Sequence, residues 1–226
     1  MKRFVYYIHN YPKVWRRWFI HFLWIFFPKS FANEYPPASV YEWIVDFVFY
    51  SIDVLGIPFW HENIFIVFKS GVRGLNPEEI EEAKAVFGNV LNYPLILIDD
   101  KSRLGIGNSA VAYVTFFMIN YRNTISMPVF IHELVHIWQY QQYGSVYISK
   151  AIKAQKSKEG YDYGGAEHLY AAMMKGKSIK SFNFEQQAEI LEDYYRKIKG
   201  KNISPMEKGV YSYYVGLIRE TDEKTA

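Results

Sequence analysis

The sequence contains no cysteine. That absence removes disulfide frameworks, thiolate metal sites, iron–sulfur clusters and cysteine nucleophiles together. It does not fix a compartment, because a disulfide-free chain is compatible with either side of a membrane. A strong net charge is also missing: 26 Lys and Arg against 23 Asp and Glu leave +3. Such a mild balance lacks the concentrated basic face of a nucleic-acid binder, so no nucleic-acid partner is expected. There are no internal repeats and no low-complexity segment. Nor is there a clean membrane span. The apolar run from Trp18 to Phe27 is about half of the roughly 20 residues needed, and Pro28 and Lys29 end it. Val40 to Trp60 is long enough but carries Glu42, Asp46 and Asp53, each expensive inside a bilayer.

What is present suits a folded chain: 226 residues, 50% hydrophobic and 22% charged, enough for one substantial domain with or without an appendage. Aromatic residues are in excess, and 20 of them, with five of the six Trp, lie in the first 60 positions. Residues 1–60 open with Lys2, Arg3, Lys13, Arg16 and Arg17. Their acids Glu42, Asp46 and Asp53 fall at helical spacing on one stripe, with Val, Ile, Phe, Trp and Tyr around the rest. This predicts an aromatic-rich amphipathic helical region that covers the domain or makes peripheral contact with a membrane surface. An aromatic helical pair packed into the core is the alternative. A cleaved secretory signal ending near Ser30-Phe31-Ala32 fits less well, because His21 interrupts the apolar stretch and Lys29 follows it. A cytoplasmic or peripheral-membrane location is therefore expected over export.

Residues 61–226 read as an α+β domain, mainly helical with a small sheet. Ile64–Phe68, Pro94–Ile98 and Val111–Ile119 read as strands, and Gly105–Ser109 as a turn. Asn76-Pro77-Glu78-Glu79 predicts a capped helix running to about Phe87 and ended by Gly88. Ser204-Pro205 opens a last helix through Arg219, with Thr221–Ala226 fraying after it.

One motif carries chemistry: His132-Glu133-Leu134-Val135-His136, inside the apolar stretch Val129 to Trp138. Residues four apart on a helix project about 40° from one another, so both imidazoles leave one face and can bind one zinc ion. Glu133 is offset on the same turn and can reach the metal-bound water as a general base rather than a ligand. A third protein ligand must be His, Asp or Glu. Asn183 and Gln186 predict a capped helix start, after which Glu185, Glu189 and Glu192 share a face. Glu185 stands out, because it sits in the first turn among Phe182, Phe184 and Ala188; His168 is the alternative ligand. Asp193 is a candidate to orient a ligand histidine. Tyr163, Tyr170, Tyr194 and Tyr195 are all available as oxyanion donors, and none is singled out.

His132-Glu133-x-x-His136 followed by Glu185-Gln186-Gln187-Ala188 resembles the gluzincin branch of zinc metallopeptidases. More narrowly, His132 to Gln139 with Phe184 to Ala188 is similar to the small bacterial zincin-like domain of Vgr-related proteins, which also occurs in proteins linked to contractile injection systems. The likeness covers about residues 70–198, including the helix at Pro77 and the turn at Leu104–Asn108. It implies a zincin-like fold with an active-site helix, His132, His136 and Glu185 as zinc ligands, and Glu133 as catalytic acid/base. It further implies hydrolysis of a peptide or protein substrate, aligned on an edge strand such as Val111–Ile119. A non-catalytic zinc scaffold that docks on a membrane or secretion apparatus is the alternative expectation.

Overall fold

The computed structural model describes residues 2–28, 35–69, 71–102, 112–201 and 203–220. In chain order its elements are α1 (Lys2–Trp24), α2 (Val40–Val54), α3 (Ile57–Phe68), β1 (Val72–Gly74), α4 (Pro77–Phe87), β2 (Leu97–Asp99), β3 (Ala112–Thr115) and β4 (Met118–Tyr121). The helices α5 (Met127–Tyr143), α6 (Val146–Gln155), α7 (Gly165–Met174), α8 (Phe184–Gly200) and α9 (Pro205–Arg219) follow. The architecture is α+β, mostly helical, with one small mixed sheet. The readings at Ser30–Ala32, Gly105–Ser109, Leu104–Asn108 and Thr221–Ala226 fall outside the described residues.

Helix ends with local signals form as the sequence predicts. Asn76 accepts the Glu79 backbone N–H at 2.8 Å while the Glu79 carboxylate accepts from Asn76, a reciprocal cap. Asn183 with Gln186 and Ser204 with Glu207 repeat the arrangement at the starts of α8 and α9. Gly88 ends α4 at φ 60°.

The strands depart further from expectation. Ile64–Phe68 is not a strand but the last turns of α3. Its apolar run is ambiguous by itself, and Pro58 in the first turn starts a helix that carries through. The boundary expected at residue 60 lies within this helix. Pro94 sits in a short 3-10 turn, Tyr93–Leu95, so the strand begins only at Leu97. The single strand expected over Val111–Ile119 is two. β3 and β4 form a hairpin with Thr115 opposite Met118, turning on Phe116 and Phe117. Phe116 takes a left-handed backbone (φ 58°), a conformation usually left to Gly or Asn. Burial of both rings against Tyr140, with centroids at 5.6 and 5.1 Å, offsets that strain.

The sheet order is β1-β2-β4-β3, with β2 and β4 parallel and the other pairs antiparallel, so β3 is an edge strand. One apolar core joins the sheet to the helices through α5, which is buried from Phe130 to Tyr140 and packs against β3, β4, α6 and α8. Trp138 and Ile131 are fully enclosed there. α9 closes the other side of α8, against α4 and α7.

Candidate metal centre

His132, Glu133 and His136 lie in the middle of α5, where the flanking apolar residues bury the helix on all sides. His132 and His136 project one turn apart, with ring centroids 5.2 Å from each other. The third group comes from the first turn of α8. The cap at Asn183 starts that helix, and the close packing of α8 on α5 brings Glu185 onto both imidazoles. Glu185 Oε2 stands 3.3 Å from His132 Nε2 and 3.6 Å from His136 Nε2. Ligands about 2.0–2.1 Å from a tetrahedral zinc are roughly 3.3 Å from one another. The two measured separations match that spacing closely, and one donor atom from each of the three residues lies within 4.8 Å of the others.

The polar bookkeeping points the same way. Glu185 is fully buried, and among the described residues its ion-pair partners are the two histidines; Gln155 Nε2 donates to its other oxygen at 3.0 Å. Burial works against its ionisation, but His136 and His132 outweigh it and hold the carboxyl well below its ordinary range. Burial would likewise strip the proton from both imidazoles, yet the surrounding carboxylates, Glu185 first among them, keep both pKa values raised. The cluster thus favours positive charge facing Glu185. Glu133 is also buried, which pushes its pKa up, and its Oε2 has no hydrogen-bond partner among the described residues. The orphaned oxygen lies beside three convergent donors that could together hold a metal ion.

The groups that orient the histidines were not the ones anticipated. Gln187 Nε2 donates to the Phe182 carbonyl (2.9 Å), which leaves its Oε1 to accept from Gln139 Nε2 (3.0 Å). Gln139 Nε2 also donates to the Phe184 carbonyl, so its Oε1 must be the acceptor facing His136 Nδ1 at 2.8 Å. The hydrogen of His136 is thus held on Nδ1, and Nε2 faces Glu185. For His132 the neighbour is Glu192, whose Oε2 lies 3.0 Å from Nδ1 as an ion pair without hydrogen-bond alignment. Asp193, expected in this role, instead accepts the hydroxyl of Tyr163 on the far side of α8. The successive positions 192 and 193 diverge by about 100° around the helix, and only Glu192 turns towards α5. His168 is exposed on α7, outside the cluster. Gln139 had a signal in the sequence, an amide that follows the apolar stretch Val129 to Trp138 three positions after His136.

The cluster opens into a cleft of about 690 Å³ lined on one side by Ala112, Tyr113 and Val114 of the edge strand β3, and elsewhere by Tyr147 and Tyr161. None of Tyr163, Tyr170, Tyr194 and Tyr195 lines it. Tyr147 donates to the Val114 carbonyl at 2.8 Å, whereas the half-exposed ring of Tyr161 lies 5.9 Å from that of His132. Burial, reinforced by Glu185 and Glu133, pushes the Tyr161 hydroxyl up to about 12, so it stays a proton donor at neutral pH.

Compared with known proteins, the chain is 26% identical over 135 residues to the type VI secretion system spike protein VgrG2b of Pseudomonas aeruginosa. The alignment covers 54% of this chain and 13% of that protein, so the chain spans a small part of its relative. No protein-family profile matches the chain, and no solved structure matches it.

Proposed function

We propose that the chain is a zinc-dependent metallopeptidase of zincin-like fold, with His132, His136 and Glu185 holding the metal and Glu133 acting as general base. The observation that carries this reading is the orphaned Oε2 of Glu133 beside three donor atoms that lie within 4.8 Å of one another. The partial likeness to a Vgr-type spike protein supports the same kinship. A zinc ion, when bound, supplies a Lewis acid that lowers the pKa of a water and polarises a carbonyl oxygen.

The protein's own groups do the rest. Glu133, its pKa raised by burial, takes a proton from water and returns it to the leaving amine. The edge of β3 aligns an extended peptide along the cleft by main-chain hydrogen bonds. Tyr161 donates to the oxygen that gains charge on the scissile carbonyl. Gln139 and Glu192 hold the imidazoles in place while Gln155 fixes the outer oxygen of Glu185.

Glu133→Gln separates this from the second reading, a zinc scaffold without turnover, which exposed apolar side chains on the first three helices, such as Phe4, Tyr41 and Trp60, favour. The peptidase reading expects loss of peptide hydrolysis by about 10² or more with zinc content unchanged, read from a quenched-fluorescence peptide library and elemental analysis. Hydrolysis that survives the substitution refutes the assigned base. Zinc below a tenth of an equivalent after reconstitution refutes the site.

A further inference from the structure

The first three helices are amphipathic in the reverse sense for a helix on a water-facing surface. Their acidic side chains Asp46, Asp53 and Glu62 point inward. Asp46 accepts from Ser149 and Lys150, Asp53 from the backbone and hydroxyl of Ser145, and Glu62 pairs with Arg3 and accepts the Phe117 N–H at 3.1 Å. His21 is buried against the Trp43 carbonyl. The apolar side chains point outward, at helical spacing. On α1 the exposed stripe is Phe4, Ile8, Tyr11, Trp15 and Phe19; on α2 it is Tyr41, Ile44 and Val48; on α3 it is Ile57, Trp60, Ile64 and Val67. Exposure reaches 75% at Tyr41 and 82% at Phe68, whereas on the later helices exposed large apolar side chains are few, Ile152, Tyr170, Met174 and Met206 among them. Exposed apolar stripes on three neighbouring helices mark an interaction site.

We infer that this face is a monotopic membrane seat, which lies in one leaflet of an anionic bilayer. Three observations select a lipid surface as its occupant. First, α1 carries Lys2, Arg3, Lys13, Arg16 and Arg17 and no acid in 23 residues, and Lys2, Lys13 and Arg16 are exposed. Cations beside exposed Trp and Tyr match the headgroup level of an anionic leaflet. Second, a largely apolar cavity of about 310 Å³ opens between α1 and α3, lined by Phe4, Ile8, Tyr11 and Trp60, with Lys13, Arg17 and Asp53 also on its wall. Its apolar walls suit an acyl chain. Third, no single helix among the described residues is long and apolar enough to cross a membrane. α2 and α3 reach that measure only as a pair bent by 60°. Neither can leave the body to span, because the partners of Asp46, Asp53 and Glu62 belong to α6, the residue before it and the β3–β4 turn. Gly144 lets Asp53 approach so closely that a Cβ there would collide with Oδ2. The face is therefore built in advance and rests on the bilayer as one piece.

The seat does not depend on the metal site, and its test is separate. Full-length protein is floated with vesicles of phosphatidylcholine, alone or mixed with phosphatidylglycerol, and tryptophan quenching by brominated lipid is followed in parallel. Five of the six Trp lie in the first 60 residues, so quenching reports on this region. Flotation with the mixed vesicles, quenching, and weaker flotation with neutral vesicles are expected. Ile8→Glu with Trp60→Glu, both at exposed positions, should lower partition by about tenfold or more while the circular dichroism spectrum is unchanged. Arg16→Glu should weaken binding to anionic vesicles alone, also by about tenfold. Failure of the intact protein to float, or undiminished binding by the double variant, overturns the seat. Equal binding to both vesicle types overturns the role of the α1 cations. A lipid-free dimer that Ile8→Glu with Trp60→Glu dissociates, with no vesicle binding, would assign the face to a second copy and overturn it too.

Discussion

Replacing Gln139 by Leu tests the orientation of the metal centre most directly. Gln139 is fully buried, and its side chain satisfies three partners: His136 Nδ1–H, the Phe184 carbonyl and Gln187 Oε1. Leucine fills much of the same volume and leaves two of them, His136 Nδ1–H and Gln187 Oε1, unpaired, while the Phe184 carbonyl keeps its bond within α8. At about 1–3 kcal/mol for each buried polar group left without a partner, destabilisation of roughly 2–5 kcal/mol follows, after partial relaxation. That is a large share of the 5–15 kcal/mol typical of a native protein. A second loss falls on the metal. Without its acceptor, His136 no longer keeps its hydrogen on Nδ1, and loss of such an outer partner costs about 10–100-fold in metal affinity. Gln139→Glu separates the two effects. A carboxylate still accepts from His136 Nδ1, but it faces two other acceptors, so stability should fall while zinc affinity stays near that of the parent. The assay is zinc competition against a fluorescent chelator, corrected for the folded fraction from circular dichroism. A folded Gln139→Leu protein that binds zinc within about twofold of the parent would refute the tautomer argument.

The buried acids of the N-terminal helices make a pH prediction. Burial raises Asp53 to about 6 and Glu62 to about 7, although Ser145 and Arg3 respectively oppose it. Both groups hold a proton more tightly folded than unfolded. The stability they contribute is therefore fully present only below their ordinary values of 3.8 and 4.5 and is lost as pH rises through 6 and 7, on the order of 3 kcal/mol for each. Asp53→Asn, which keeps an oxygen for Ser145, should flatten that fall in urea titrations between pH 5 and 7.5; an unchanged slope contradicts it. Asn183→Ala removes the cap of the helix that carries Glu185 and should cost about 1 kcal/mol, or about 2–4 °C in Tm. In the proposed site zinc binds Glu185 and ties down the same turn, so saturating zinc should recover part of the loss in a thermal melt. An equal deficit with and without zinc would disconnect the cap from the site.

Legibility from sequence followed the range of the interaction involved. Asn76 with Glu79, Asn183 with Gln186 and Ser204 with Glu207 cap helices by bonds that close within four residues, so their effect is written locally. The common face of His132 and His136 is a property of the helical period alone. The β3–β4 hairpin was hidden because its turn residues are two phenylalanines, held by rings of α5 rather than by turn chemistry. α3 was hidden because a short apolar run has no period that separates strand from buried helix.

The sequence by itself determined the chemistry open to the protein. Without cysteine, a zinc site must be made from imidazole and carboxylate, and one helix places two imidazoles together. Only the tertiary structure decided which carboxylate joins them. The packing of α8 on α5 brings Glu185 within 3.6 Å of both imidazoles, turns Glu192 rather than Asp193 towards His132, and leaves His168 on the surface. It decided the sense of the N-terminal helices as well. The stripe of acids at 42, 46 and 53 is plain in the sequence, but the sequence does not say which side faces inward. Ser145, Ser149 and Lys150 give Asp46 and Asp53 partners in the body, so the acids turn in and the apolar faces turn out. Amphipathic period is a local property, whereas its direction depends on which partners the rest of the fold provides.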